Sequence, residues 1–317
     1  MSRDHDGGEQ YAPPWSTWAI SAVNGLVGDY LYHRGNGLAI NMAFYHRNRP
    51  FAPARMALQT LYPNATGRIC LLIHGLGCHE GVWFFRETGE DATVTSYGEL
   101  LRRDLGFTPF YIRYNTGMSI VENGRRLAGL ITELVLHYPI PVEEIVLIGH
   151  SMGGLIIRTA CYAGAERQAE WVRRVTKAFY LGTPHDGAML AQLSDIAAAT
   201  LQIIPNPITR LVGEVFDIRS RGIRDLSSGA VHDSERRLPW LASAHHYMIV
   251  GTLTRDPAHL ASVLFGDGLV HPPGRGSAMH DPPPTRGDIK VFPRMHHLQL
   301  AHEGRVYQQI WHWCNEP

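Results

Sequence analysis

The chain has 317 residues, of which 44% are hydrophobic and 18% are charged, a composition typical of a folded globular protein. Its 29 Lys and Arg residues balance its 29 Asp and Glu residues, and this net charge of zero argues against a dedicated binder of nucleic acids or anionic membranes. The polar start lacks a secretory signal and no apolar stretch has the length of a membrane span, so we expect a cytoplasmic location and no integral membrane segment.

The predicted elements begin after a polar N-terminal tail. Residues 1–14 end in two prolines and are expected to be disordered. Residues 15–66 are predicted to form a helical segment packed on the core, with helices over residues 15–31 and 38–45.

Strands and helices then alternate along the chain. Strands are predicted at residues 68–73, 108–114, 144–148, 175–181, 246–251 and 289–292. Helices are predicted at residues 97–105, 119–137, 155–165 and 298–313. This alternation predicts an α/β fold in which a doubly wound, mostly parallel sheet carries helices on both faces. The core is expected in two parts, residues 67–187 and 245–317, separated by an insertion at residues 188–244.

Four cysteines are dispersed along the chain without a Cys-x-x-Cys motif: Cys70, Cys78, Cys161 and Cys314. We expect them to be small buried hydrophobic side chains in a reducing compartment. A disulfide between Cys70 and Cys78 is the alternative.

The most informative motif is Gly-His-Ser-Met-Gly-Gly at residues 149–154. It follows a short, β-branched apolar run that predicts a buried strand, and it precedes a predicted helix. A Gly-x-Ser-x-Gly between a strand and a helix is typical of a nucleophile elbow, where glycines avoid clashes in a strained turn. The motif therefore predicts Ser151 as a nucleophile and the N–H of Met152 as an oxyanion donor. The alternative is a glycine-rich turn with a solvated serine.

A second motif, His74-Gly75-Leu76-Gly77, directly follows the predicted strand 68–73. Acyl transfer passes through a tetrahedral oxyanion that needs two preorganised N–H donors, and glycines let a backbone approach the substrate. Leu76 N–H is therefore predicted as the second donor, and a plain turn at the strand end is the alternative. We expect His74 to brace this loop and not to act as a base, because it precedes the oxyanion turn.

A catalytic histidine is expected just after the last strand, since the chain order in this architecture is serine, acid, histidine. His296 and His297 both follow the predicted strand 289–292 and qualify by position.

The acid is expected after the preceding strand. Asp267 lies between two glycines, which allow a sharp turn that aims its carboxylate at an imidazole. The competitors are Asp256, Asp281 and Asp288. Asp256 precedes a proline, which indicates a turn, and Asp288 begins the next predicted strand. The order and spacing favour Asp267.

Together these motifs resemble bacterial lipases and esterases of the α/β-hydrolase superfamily, and within it the group similar to the eukaryotic glycosylphosphatidylinositol inositol-deacylases. The resemblance spans most of the chain. Besides the elbow and the oxyanion loop, it is carried by residues 25–31, 114–117, 122–125, 181–187, 266–270, 277–278, 297–300 and 306–307.

The resemblance implies a site with nucleophile Ser151, acid Asp267, base His297, and oxyanion donors Leu76 and Met152. His297 fits the family register better than His296, because a leucine follows it three residues later and Val-Tyr follows further along. A proline-rich insertion between Asp267 and the last strand departs from the family pattern. The eukaryotic relatives are membrane-anchored, and because no membrane segment is predicted here, their substrate is not carried over to this chain.

The insertion at residues 188–244 is a candidate cap or lid. Apolar residues recur at helical spacing in its first part: Leu190, Leu193, Ala197, Leu201 and Ile204. This face either packs on the core or lines the substrate site, and in the second case Leu190, Leu193 and Leu201 are the predicted substrate-binding residues. His185 and Asp186, beside the elbow, are expected to shape their loop.

The sequence thus predicts a serine hydrolase of carboxylic esters, a carboxylesterase or triacylglycerol lipase, acting through an acyl-enzyme on an apolar ester or acyl lipid. No cofactor or metal is expected, because the 18 histidines show no metal-binding spacing with a partner acid. An acyltransferase on the same triad and a non-catalytic binding protein with this fold are the alternatives.

Overall fold

The structure is a computed structural model that describes residues 14–87, 92–185, 238–254 and 287–316. Within these ranges the strands are Ala43–His46 (β1), Arg49–Phe51 (β2), Arg68–Ile73 (β3), Phe84–Arg86 (β4), Val94–Ser96 (β5), Thr108–Arg113 (β6), Glu144–His150 (β7), Val175–Leu181 (β8), His245–Thr252 (β9) and Gly287–Pro293 (β10). The α-helices are Trp15–His33 (α1), Arg55–Leu61 (α2), Tyr97–Leu105 (α3), Ile120–His137 (α4), Met152–Glu166 (α5) and Gly304–Asn315 (α6). Short 3₁₀ helices cover Glu80–Trp83, Glu170–Arg174 and His297–Ala301.

The main sheet has the strand order β10-β9-β8-β7-β3-β6-β1-β2 in the described part of the chain. The strands from β10 to β6 are parallel to their neighbours, whereas β1 is antiparallel to β6 and β2 is antiparallel to β1. The prediction of a doubly wound, mostly parallel sheet is confirmed. Because parallel strands end at the same edge, the loops after β3, β7, β8 and β10 emerge close together, as ligand-binding loops do in such sheets.

Two hydrophobic clusters cover the two faces of this sheet. Ile69, Leu71 and Ile73 of β3 pack with side chains of α4 and α5, and Cys70 and Leu72 pack with side chains of α3 and α6. All five are fully buried, as the alternation of side chains along a strand with two covered faces requires. Each buried Leu or Ile contributes about 1.5–3 kcal/mol, so this central strand is a rigid support for the loop that follows it.

The predicted helix over residues 38–45 is wrong. Ile40 N–H donates to the Asn24 side-chain oxygen (2.9 Å), and the Asn24 amide donates to Leu38 O (2.8 Å), so this stretch is held against α1 without forming a helix. Residues 43–45 then pair with β6. An unpaired edge of β6 would expose a row of backbone donors and acceptors, and β1 covers it.

The predicted closing helix over residues 298–313 is divided in two. The chain forms the 3₁₀ helix His297–Ala301 and then α6. The break is tied to Tyr97, whose hydroxyl accepts from Glu303 N–H (2.8 Å) and lies 3.0 Å from Leu300 O. The small β4–β5 hairpin and α2 were not predicted, because both are too short to give a periodic pattern.

The four cysteines are free and buried. Burial raises the pKa of the Cys78, Cys161 and Cys314 thiols to about 12, so they remain protonated hydrophobic groups, as predicted. Among the helices of the described ranges, none is long and apolar enough to cross a membrane.

Candidate active site

Ser151 occupies the turn between β7 and α5 in a strained conformation. Its φ is 54° and its ψ is −125°, a combination that costs about 1–3 kcal/mol for a residue with a side chain. Gly153, two residues later, has no room for a side chain, because a Cβ there would clash with Ile73 O. Ser151 N–H donates to Leu181 O (2.8 Å), which ties the turn to the end of β8. The strain is therefore held in place by β3, β8 and α5 together.

The loop after β3 lies directly over Ser151. A Cβ on Gly75 would approach the Ser151 Cβ to 2.9 Å, so only glycine lets the loop come this close. The loop is fixed on either side of Leu76, since Cys78 N–H donates to Gly75 O (3.2 Å) and Gly77 N–H donates to the Thr116 hydroxyl (3.0 Å).

The two predicted oxyanion donors belong to this loop and to α5. Leu76 N–H has no acceptor among the residues that the structure describes. Met152 is the first residue of α5, where an N–H has no acceptor within its own helix and lies at the positive end of the helix dipole. An oxygen anion near Ser151 would satisfy such groups.

His74 braces the loop, in agreement with its predicted role. Its Nδ1 lies 2.9 Å from Gly75 O, and its ring stacks on Tyr114 with a centroid distance of 4.4 Å. The Tyr114 hydroxyl donates to His74 O (2.7 Å). Burial lowers the pKa of His74 to about 3, so the ring is neutral and, because a carbonyl only accepts, Nδ1 carries the proton.

The two candidate base histidines differ in their surroundings. His296 is exposed, and it closes a capping box with Gln299 at the start of the 3₁₀ helix. His297 is only 4% exposed, and its ring packs against Gly182 at the end of β8, where a Cβ would lie 2.9 Å from its Nδ1. Since Leu181, the residue before Gly182, accepts from Ser151 N–H, the His297 ring and the Ser151 turn both lie at the end of β8.

His150 joins these parts and was missed as a separate site residue in the sequence, where it is only the variable position of the elbow motif. It is 1% exposed, its Nε2 lies 3.0 Å from His297 O, and its ring centroid lies 4.7 Å from that of His297. A Cβ on Gly75 would lie 3.1 Å from its Nδ1.

The candidate acids lie mostly outside the described residues: Asp267, Asp256 and Asp281. Asp288 is described, and it is exposed near the start of β10, where its carboxylate accepts from Ile289 N–H. About five strand residues, or roughly 16 Å, separate it from the end of β10 that precedes His297. Asp288 is therefore at the wrong edge of the sheet to contact a base there.

The predicted substrate-binding residues also lie outside the described residues: Leu190, Leu193 and Leu201, together with Asp186 and most of the insertion 188–244. His185 is described, with Nδ1 3.3 Å from an Arg158 guanidinium nitrogen and its ring 5.0 Å from that of Trp240. Burial and the Arg158 charge lower the pKa of His185, so it is neutral.

A buried ion pair supports the far end of the oxyanion loop. Glu80 is 1% exposed, and its carboxylate accepts from Nε and Nη2 of Arg113, the last residue of β6. Arg113 also lies 4.0 Å above the Tyr45 ring and donates to Asn48. The bidentate pair thereby links the loop after β3 to the end of the neighbouring strand.

We expect Glu80→Ala to lower the free energy of unfolding by about 3 kcal/mol, because it leaves a buried guanidinium without its carboxylate. Urea denaturation measures this change. The matched control is Glu99→Ala, which removes an exposed ion pair with Arg102 and should cost less than about 1 kcal/mol. Equal costs for the two variants would contradict a structural role for the Glu80–Arg113 pair.

Comparison with known proteins matches residues 65–211 to the family model of the PGAP1-like alpha/beta domain. No curated protein matches the chain. Among solved structures, a thermophilic esterase from Thermogutta terrifontis is 19% identical with a TM-score of 0.46, covering 79% of this chain and 90% of that chain. The monoacylglycerol lipase of Paleococcus ferrophilus is 17% identical with a TM-score of 0.40, covering 77% and 92%. The RedJ thioesterase from the prodiginine pathway of Streptomyces coelicolor is 14% identical with a TM-score of 0.46, covering 80% and 92%.

The family match covers the central part of the sheet, with the loop after β3 and the elbow between β7 and α5. The strand order and the serine turn after a central parallel strand are the features that define this architecture. The chain therefore has the α/β-hydrolase fold, and its residues 65–211 match the family model of the PGAP1-like alpha/beta domain.

Proposed function

We propose that the protein is a serine hydrolase that cleaves carboxylic esters through an acyl-enzyme. The observation that carries this proposal is the strained backbone of Ser151, with φ of 54°, held under a glycine loop at the start of α5. Backbone strain of this kind concentrates at functional sites, because the surrounding structure has to stabilise it. An ordinary glycine-rich turn would place a glycine, and not the serine, at the positive φ.

In the proposed reaction His297 accepts the hydroxyl proton of Ser151 while the oxygen attacks the ester carbonyl. The N–H groups of Leu76 and Met152 bind the oxyanion of the tetrahedral intermediate. His297 then gives its proton to the leaving alcohol, and the acyl group remains on Ser151. Water, deprotonated by the same histidine, attacks the acyl-enzyme and releases the carboxylic acid.

Asp267 is proposed to accept a hydrogen bond from His297, which would fix the imidazole tautomer and stabilise the imidazolium. The proposal rests on its position in the sequence, after the penultimate strand and between two glycines. An apolar ester or acyl lipid is the proposed substrate class, on the basis of the leucine spacing at Leu190, Leu193 and Leu201.

A fluorophosphonate probe tests the nucleophile independently of any substrate. We expect the probe to add one phosphonyl group to the native chain and none to the denatured chain, because only the folded site activates the hydroxyl. Mass spectrometry of the digested adduct should locate the label on Ser151. Labelling of another serine, or no labelling of the folded protein, would reject the proposed function and favour a binding role for this fold.

A further inference from the structure

The His150 side chain makes one hydrogen bond that an apolar side chain of similar size could not make. Its Nε2 lies 3.0 Å from the backbone oxygen of His297, and because a carbonyl only accepts, Nε2 carries the proton and donates. Nδ1 is then the unprotonated nitrogen. It is buried and has no hydrogen-bond partner among the described residues.

A buried acceptor without a partner costs about 1–3 kcal/mol, so an apolar side chain of similar size would pack here at lower cost. The imidazole is therefore not explained by packing alone. What the imidazole provides is the hydrogen bond from Nε2 to the backbone oxygen of His297. Since His150 immediately precedes Ser151, this bond connects the serine turn to His297.

The His150 ring also contacts the loop after β3. Gly75, in the loop over Ser151, approaches Nδ1 so closely that a Cβ there would lie 3.1 Å away. The Trp83 ring also packs near His150, with a centroid distance of 6.4 Å and an interplanar angle of 83°. His150 is thus placed between the serine turn, the loop over it and the backbone of His297.

His150 is also suited to stand beside a base that becomes positively charged. Burial and the neighbouring His297 lower its pKa well below the usual value, so it is neutral. A neutral ring adds no charge repulsion when His297 takes up a proton.

We propose that His150 is a positioning residue: its Nε2–H holds the backbone carbonyl of His297 and so fixes the imidazole of His297 relative to Ser151. This inference rests on the proposed function, in which His297 is the base. A displacement of about 1 Å between a base and its nucleophile costs on the order of 100-fold in rate, so one such bond has a measurable effect.

The experiment compares two amide variants of the full chain. In His150→Gln the side-chain nitrogen reaches the position of Nε2 and can donate to His297 O, whereas in His150→Asn it reaches only the position of Nδ1. The control is His246→Asn. His246 is also buried and neutral, and its Nε2 lies 3.0 Å from the backbone oxygen of Leu241, but it lies at the start of β9, at the opposite edge of the sheet from Ser151.

We expect His150→Asn to lower kcat for p-nitrophenyl butyrate by about 30-fold to 100-fold with KM changed less than about threefold. His150→Gln should recover at least about tenfold of this loss, and His246→Asn should stay within about threefold of the wild type. The imidazole NMR signal of His297, followed through a pH titration, should shift in His150→Asn and not in His246→Asn.

Equal kcat values for the Gln and Asn variants would overturn the proposal, and so would an unchanged His297 signal in His150→Asn. If His150→Asn does not fold, the comparison of His150→Gln with the wild type decides, since a loss of more than about tenfold in the Gln variant contradicts the proposed bond. The NMR titration needs no turnover. A protein without esterase activity whose His297 signal still depends on His150 would reject the proposed function and retain the positioning role.

Discussion

Replacement of Ser151 by alanine is expected to lower kcat for p-nitrophenyl butyrate by at least ~10⁴-fold, equivalent to about 5.5 kcal/mol of transition-state stabilisation. The reason is that no other group in the proposed mechanism can form the covalent bond to the acyl group. The substitution should leave the fold intact, because the Ser151 hydroxyl makes no capping bond to α5 and alanine keeps the Cβ that the turn already accommodates.

The matched control is Ser119→Ala. The Ser119 hydroxyl accepts from Glu122 N–H (3.1 Å) and caps α4, so its loss should cost about 1 kcal/mol of stability and leave the activity unchanged. Equal hydrolysis by the wild type and Ser151→Ala would eliminate Ser151 as the nucleophile.

In the active wild type, the rate ratio between p-nitrophenyl butyrate and p-nitrophenyl palmitate then separates a carboxylesterase from a lipase.

The parallel strands of the sheet were predicted close to their observed bounds, because their pattern is local. Strands β3 and β8 are buried on both faces and contain apolar runs at residues 69–73 and 178–181, and the structure places the two strands at residues 68–73 and 175–181, as predicted. The cap of α4 is also a local feature, because the Ser119 hydroxyl accepts from the N–H of Glu122, three residues later.

The errors are at places where distant residues decide the conformation. The stretch 38–45 follows the Asn24 amide and the edge of β6 instead of its own helical spacing. The last helix is interrupted where Tyr97, about 200 residues earlier, binds the backbone at Leu300 and Glu303. No local pattern contains these partners.

The candidate site likewise combines features that the local sequence determines with features that depend on residues distant in the sequence. The elbow and the loop after β3 are local motifs, and both lie where the sequence places them. The link between His150 and His297 joins residues 147 positions apart, so only the folded chain reveals it. Asp267 and the leucines of the insertion remain predictions from the sequence.

The adjacent histidines after β10 give the sharpest test of the proposed base. We expect His297→Ala to lower kcat by about 10⁴-fold, because Ser151 would then have no group to accept its proton. His296→Ala should keep kcat within about threefold of the wild type and lower stability by about 1 kcal/mol, since His296 is exposed and only caps the 3₁₀ helix with Gln299. Steady-state kinetics and thermal unfolding of both variants measure the two effects.

The two substitutions remove the same side chain at neighbouring positions, so differences in composition or expression cannot account for a difference in rate. A large loss of activity in His296→Ala with a small loss in His297→Ala would transfer the role of base to the exposed residue. It would also remove the basis for the proposed action of His150, whose hydrogen bond reaches the backbone of His297. The expected result, in contrast, would identify the buried ring beside Gly182 as the group that activates Ser151.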